Sequence, residues 1–142
     1  MKTPRTRRIE SAQRALVRRL RARHAMIQPE PVQGLFNFRC HENCVEYVRQ
    51  RPGEGLVIVE TIYVEGGQPV LHYLVADPPQ RYLEVTLGWR AKQLEYYLIR
   101  PIHPEDFDRI HSEFSRSRAD WAEEFAGWFG RKVLRIKPED VL

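Results

Sequence analysis

The chain has 142 residues, 42% of them hydrophobic and 11% aromatic, which suits one packed domain and excludes a disordered polymer. Its formal charge of +4 is unevenly spread, because nine cations against Glu10 give +8 between Met1 and Gln28 and leave the remainder at −4. No apolar run approaches the roughly 18 residues of a membrane span, and no apolar stretch follows the basic N-terminus as in a signal peptide, so the expectation is a cytoplasmic chain without membrane partners.

In chain order, Ile9, Ala12, Leu16, Val17 and Leu20 recur at helical spacing among arginines and predict an amphipathic helix over Ile9–Met26. Pro29 and Pro31 end it and open an extended connection through Val32, Gln33 and Gly34. Cys40 then heads a predicted helix running to Gln50, stopped by Pro52-Gly53. From Leu56 the period changes to that of strands. Leu56–Val64 and Val70–Ala76 flank a Glu65-Gly66-Gly67-Gln68 turn and form a hairpin, and Arg81–Leu87 follows the turn at Asp77–Gln80. Leu94–Ile102 reads as a fourth strand or a helical stretch. Pro104, Glu105 and Asp106 mark a helix start. Phe107, Ile110, Phe114, Trp121, Phe125 and Trp128 then predict one long helix, or two with a break over Ser115–Arg118, ending at Gly130. Val133–Ile136 is a closing strand or an extended tail.

These elements predict an α+β fold, with an antiparallel sheet of about four strands packed on the cysteine-bearing helix and a long C-terminal helix. The domain division is a basic helical arm over residues 1–28 and a single α+β domain over residues 29–142.

Cysteine at a helix start, histidine on one strand and a carboxylate on the next is a thiol-enzyme order. A thiol attacks only as thiolate, and a helix N-terminus and a neighbouring imidazolium both favour ionisation. Cys40 has the first, His72 can supply the second, and a third group must orient the ring. Pairing across the Asp77–Gln80 turn sets His72 opposite Val85 or, one residue shifted, Glu84, and only Glu84 is chemically able.

The segments Gly34, Cys40-His41-Glu42-Asn43, Leu71-His72-Tyr73-Leu74-Val75 and Tyr82-Leu83-Glu84-Val85-Thr86 resemble the core of the papain-like and transglutaminase-like cysteine enzymes. They are also similar to small bacterial proteins of unassigned function with a Cys-His-x-Asn helix start. The resemblance spans Gly34–Gly88, roughly two-fifths of the chain. It implies Cys40 as nucleophile, His72 as general base and acid, and Glu84 as orienting group, with glutamate where aspartate or asparagine is usual. Gln33, Asn37 and Asn43 are candidate substrate or oxyanion donors, beside the Cys40 backbone N–H.

Other readings stand beside this one. Cys44, one turn after Cys40, reads as a core residue before a resolving thiol. Zinc on Cys40, Cys44 and His72 would lack a fourth ligand, with His41 expected off that face, so neither metal nor cofactor is assigned. His103 and His111 read as a cap and a solvated helix residue. Arg14, Arg18, Arg19, Arg21 and Arg23 could bind nucleic acid through phosphates, or an acidic protein. The favoured function is a cysteine-dependent hydrolase or acyltransferase acting on a protein, peptide or small amide or ester. The alternative is a non-enzymatic binding module using the arginine-rich helix.

Overall fold

The computed structural model describes Met1–Leu142 as an α+β fold with a six-stranded sheet. Helix α1 spans Pro4–Arg23. It starts five residues before the apolar stripe because Thr3 caps it, accepting the Thr6 N–H at 3.1 Å, and Pro4 occupies the first turn. It stops short of Met26 because Met26–Ile27 forms an edge strand, β1. Ala12, Leu16, Val17 and Leu20 are buried in the main core, so the arginine-rich helix shares one hydrophobic cluster with the rest of the chain.

Strand β2 (Glu30–Pro31) and helix α2 (Cys40–Arg49) precede the hairpin of β3 (Val57–Glu65) and β4 (Gln68–Asp77). Next come β5 (Arg81–Glu84) and β6 (Glu95–Ile102), then helix α3 (Ile110–Trp128) and the short α4 (Pro138–Val141). The sheet order is β1-β6-β3-β4-β5-β2, with β2 parallel to β5 and every other pair antiparallel. The predicted sheet of about four antiparallel strands is therefore corrected to six strands of mixed direction. The two additions are two-residue edge strands, too short to show alternation, and Pro31 is tolerated because it lies on an edge.

Leu94–Ile102 is resolved in favour of strand. Tyr96 joins the cluster on one sheet face and Tyr97 the larger cluster on the other, as alternation requires. The larger cluster gathers α1, α2, α3 and α4 against Leu71, Tyr73 and Val75. The smaller one packs Ala91, from a helical turn over Gly88–Gln93, against Val59, Tyr63 and Leu74. Helix α3 runs through Ser115–Arg118 unbroken and is interrupted instead at Gly127, where φ is 71°. Of the two alternatives for Val133–Ile136 the closing strand does not form: a wide turn over Phe129–Val133 leads through an irregular tail over 134–137 to α4, and Ile136, Val141 and Leu142 reach the core from there.

Candidate active site

The geometry begins with the early end of β5. Its ladder with β4 pairs Val75 with Leu83, Ala76 with Tyr82 and Asp77 with Arg81, which places Glu84 opposite Leu74. His72 lies two residues further along β4, past the end of this pairing. The edge of β4 at His72-Tyr73 is thus left uncovered, and the first residue of α2 meets it there. Cys40 belongs to the larger core cluster beneath the sheet, whereas His72 packs edge-on against Tyr63 and tilted against Tyr96 on the opposite face. The two meet around the open strand edge, where the Tyr73 N–H is turned to the thiol.

His72 and Glu84 share a sheet face as diagonal neighbours, two residues out of direct opposition. His72 Nε2 lies 2.8 Å from Glu84 Oε2. The same oxygen accepts the Tyr96 hydroxyl at 2.7 Å, while Oε1 accepts the N–H groups of Thr86 and Leu87 at 2.9 and 3.1 Å. Glu84 is completely buried and every contact it makes suits a carboxylate. With Nε2 engaged, Nδ1 is the ring nitrogen left to serve the thiol. The Cys40 thiol and the His72 ring lie within electrostatic and hydrogen-bonding reach of each other.

The charges set one another. Burial opposes ionisation of Cys40, but the His72 imidazolium, His41 and the Tyr73 N–H outweigh it and bring the thiol down to about 6. Burial likewise opposes protonation of His72, yet Glu84 and the Cys40 thiolate raise it to about 10. Glu84 would be raised by burial, but His72, Tyr96 and the Leu87 N–H hold it below the ordinary carboxylate range. The result is a thiolate and an imidazolium side by side. Cys44 is the opposite case, fully buried and pushed well up by burial and by the nearby Cys40 and Glu84, which keeps it a neutral thiol in the core.

A cleft of about 130 Å³ opens on Cys40 and His72, walled by Phe38, Val70, Leu71, Leu87 and Phe114 and flanked by Arg90 and Arg118. The loop before Cys40 carries two phenylalanines with left-handed backbone, Phe36 at φ 49° and Phe38 at φ 57°, and Phe38 is almost fully exposed. Non-glycine residues in this region are strained and gather at functional loops. Gly88 anchors the far end of that loop. Its φ is +52°, and a Cβ there would stand 3.0 Å from the Gly34 Cα.

No family model, curated protein or solved structure matches the chain. The site is therefore read from its own chemistry.

The structure brings Cys40, His72 and Glu84 together and leaves the amide candidates outside the cleft. Asn43 Nδ2 donates to Asn37 Oδ1 at 2.8 Å and to Thr86 Oγ1 at 3.0 Å, and Asn37 Nδ2 donates back to Asn43 Oδ1 at 3.1 Å. The two asparagines thereby brace the loop in front of the helix. Gln33 lines a separate groove with Leu35 and Tyr47. The backbone N–H of Cys40 is one of the first-turn amides that a helix cannot satisfy internally. His41, expected off this face, is buried, stacks on Phe114 at 4.7 Å and acts on the thiol. His41, Glu42 and His111 place ligand atoms within 4.8 Å of one another, but His41 Nε2 and His111 Nδ1 already share a hydrogen bond at 3.1 Å, so the cluster is a hydrogen-bonded pair at the helix start.

Tyr96 joins the site through its hydrogen bond to Glu84. Phe114 and Arg118 have no signal in the sequence as site residues, since they lie on a helix whose placement against α2 is tertiary. Of the arginines on α1, Arg19 pairs with Glu124 and Arg21 with Glu95, Arg14 is 3.9 Å from Glu10, and Arg18 and Arg23 have no acidic partner.

Proposed function

We propose that the chain is a cysteine-dependent hydrolase or acyltransferase acting on an amide or ester through Cys40, His72 and Glu84. The observation that carries this reading is the buried His72–Glu84 hydrogen bond at 2.8 Å beside a cysteine at the first residue of a helix. The order and element placement, like those of the papain-like and transglutaminase-like enzymes, add to it. A glutamate in the third position is chemically equivalent for orienting the ring and holding its charge.

In this mechanism the Cys40 thiolate attacks the carbonyl carbon and forms the Sγ–C bond, while the Cys40 N–H receives the negative charge on oxygen. The tetrahedral adduct collapses as the C–N or C–O bond breaks, and the leaving nitrogen or oxygen takes the proton from His72 Nδ1. The neutral imidazole then accepts a proton from water or an amine as that nucleophile attacks the thioester. Breaking the Sγ–C bond returns the thiolate and the imidazolium. Glu84 keeps its proton-free form throughout and offsets the charge on His72. The binding-module alternative has less support, because Arg19 and Arg21 are already neutralised by acids of the same chain.

The test is the pH dependence of iodoacetamide labelling at each cysteine, read by mass spectrometry. Labelling of Cys40 is expected to rise with a midpoint near pH 6 and Cys44 to stay unlabelled while the protein is folded. In His72→Gln, which keeps a polar partner for Glu84, the Cys40 midpoint moves up toward the ordinary thiol value of 9.0. Two cysteines that remain inert until the protein unfolds would sink the reading.

A further inference from the structure

Two guanidinium groups flank the cleft over Cys40, and they are not equivalent. Arg90 is held by Glu65 in two hydrogen bonds of 2.8 and 2.9 Å and is neutralised there. Arg118 has no acidic partner and no hydrogen-bond acceptor in the protein, and its Nε is buried. Its guanidinium packs over the Phe114 ring, with Cζ 4.9 Å from the centroid, the same ring on which His41 stacks. A half-buried, preoriented cation with an unmet donor, set in a mainly apolar cleft beside a nucleophile, is complementary to an anion that arrives with the substrate.

Resting on the cysteine-enzyme reading above, we propose that Arg118 is the substrate-anion residue of the Cys40 cleft and that the substrates are small amides or esters with a free carboxylate near the reacting carbonyl. The apolar part of such a molecule is seated between Phe38, Val70, Leu71 and Leu87, and the planar guanidinium takes the carboxylate in a two-pronged contact. The small cleft volume of about 130 Å³ admits a side chain or short acyl group, so a free amino-acid or terminal carboxylate meets these limits better than the middle of a polypeptide. Arg118 is in this scheme a positioning and selecting residue, with no part in proton transfer.

Iodoacetate and iodoacetamide test this without a known substrate, since they alkylate the same thiolate and differ in charge. The readout is the ratio of their rates at Cys40 in the full chain at pH 7 and low salt, in wild type, Arg118→Gln and Arg118→Lys. Arg118→Gln is expected to lower the iodoacetate-to-iodoacetamide ratio about three- to tenfold, and Arg118→Lys to lower it less. As a measurement on the unaltered chain, phenylacetate is expected to protect Cys40 from iodoacetamide where 2-phenylethanol at the same concentration does not. A ratio unaffected by Arg118→Gln, or equal protection by the two compounds, overturns the assignment of Arg118 while leaving the reactive cysteine standing. Failure of both reagents to label folded wild-type protein overturns the cysteine-enzyme reading, and this inference with it.

Discussion

Glu84 divides its oxygens between two tasks, one held by the chain turning away at Thr86 and Leu87 and the other shared by His72 and Tyr96. Its length matters because His72 is a diagonal neighbour, and diagonal positions on a sheet face are about 7–8 Å apart at Cα. The extra methylene of glutamate, relative to aspartate, bridges that offset. Glu84→Asp should therefore lose either the backbone anchors or the ring. The expected outcome is Cys40 labelling by iodoacetamide slowed at least about tenfold at pH 7, with its midpoint raised, because the imidazolium that favours the thiolate is no longer held. An unchanged labelling profile in a folded Glu84→Asp protein would remove Glu84 from the site. At this scale the sequence was informative: only one carboxylate lies on the strand after His72, and chemistry chose it. The ladder, extended, sets His72 level with Thr86 and not with Val85 or Glu84, and Asn37 and Asn43 spend their amides on each other.

The elements follow from patterns of different strength. Long strands and helices announce themselves by period, so the β3–β4 hairpin, α2 and α3 were legible. Strands β1 and β2 have no period to show and exist because their neighbours offer an edge. Helix α1 combines two signals that the sequence alone weighs equally, an apolar stripe and a run of arginines. The fold uses the stripe as core, with Leu16 and Leu20 fully buried, and ties Arg19 and Arg21 to acids on α3 and β6. Leu16→Ala is accordingly expected to lower unfolding free energy by about 2–5 kcal/mol in urea titrations. Arg18→Ala, on the solvent side of the same helix, should change it by no more than about 0.5 kcal/mol. Equal effects of the two substitutions would mean that α1 does not belong to the core.

For the whole molecule, the buried Cys40, His72 and Glu84 make stability a function of pH with opposing slopes. The folded thiol titrates near 6 instead of its ordinary 9.0, so the thiolate adds stability as pH rises from about 6 to 9. The folded imidazolium titrates near 10 instead of 6.5, so its contribution is complete below 6.5 and is lost as pH rises to 10. Between 6.5 and 9 the two slopes largely cancel. Glu84 is depressed below 4.5, and its contribution is present above that value and lost as pH falls through its folded pKa. Urea midpoints are thus expected to be flat from about pH 6.5 to 9 and to fall on the alkaline side and again below about pH 4.5. In Cys40→Ser the cancelling slope is gone, so the midpoint should decline steadily from about pH 6.5 upward. A flat profile for that variant would show that the imidazolium is not stabilised by its surroundings.

Local pattern by itself determined the α+β class, the hairpin, and the order of a cysteine at a helix start, a histidine on a strand and a carboxylate on the next. It did so because period, caps and turn residues act over a few neighbours along the chain. Tertiary structure decided what those residues face. The early end of β5 exposes the β4 edge to Cys40, and α3 brings Phe114 and Arg118 over the thiol from more than seventy residues away. Side chains that meet only across the fold leave no spacing in the sequence, because the distance that joins them is set by how whole elements pack and not by the chain between them.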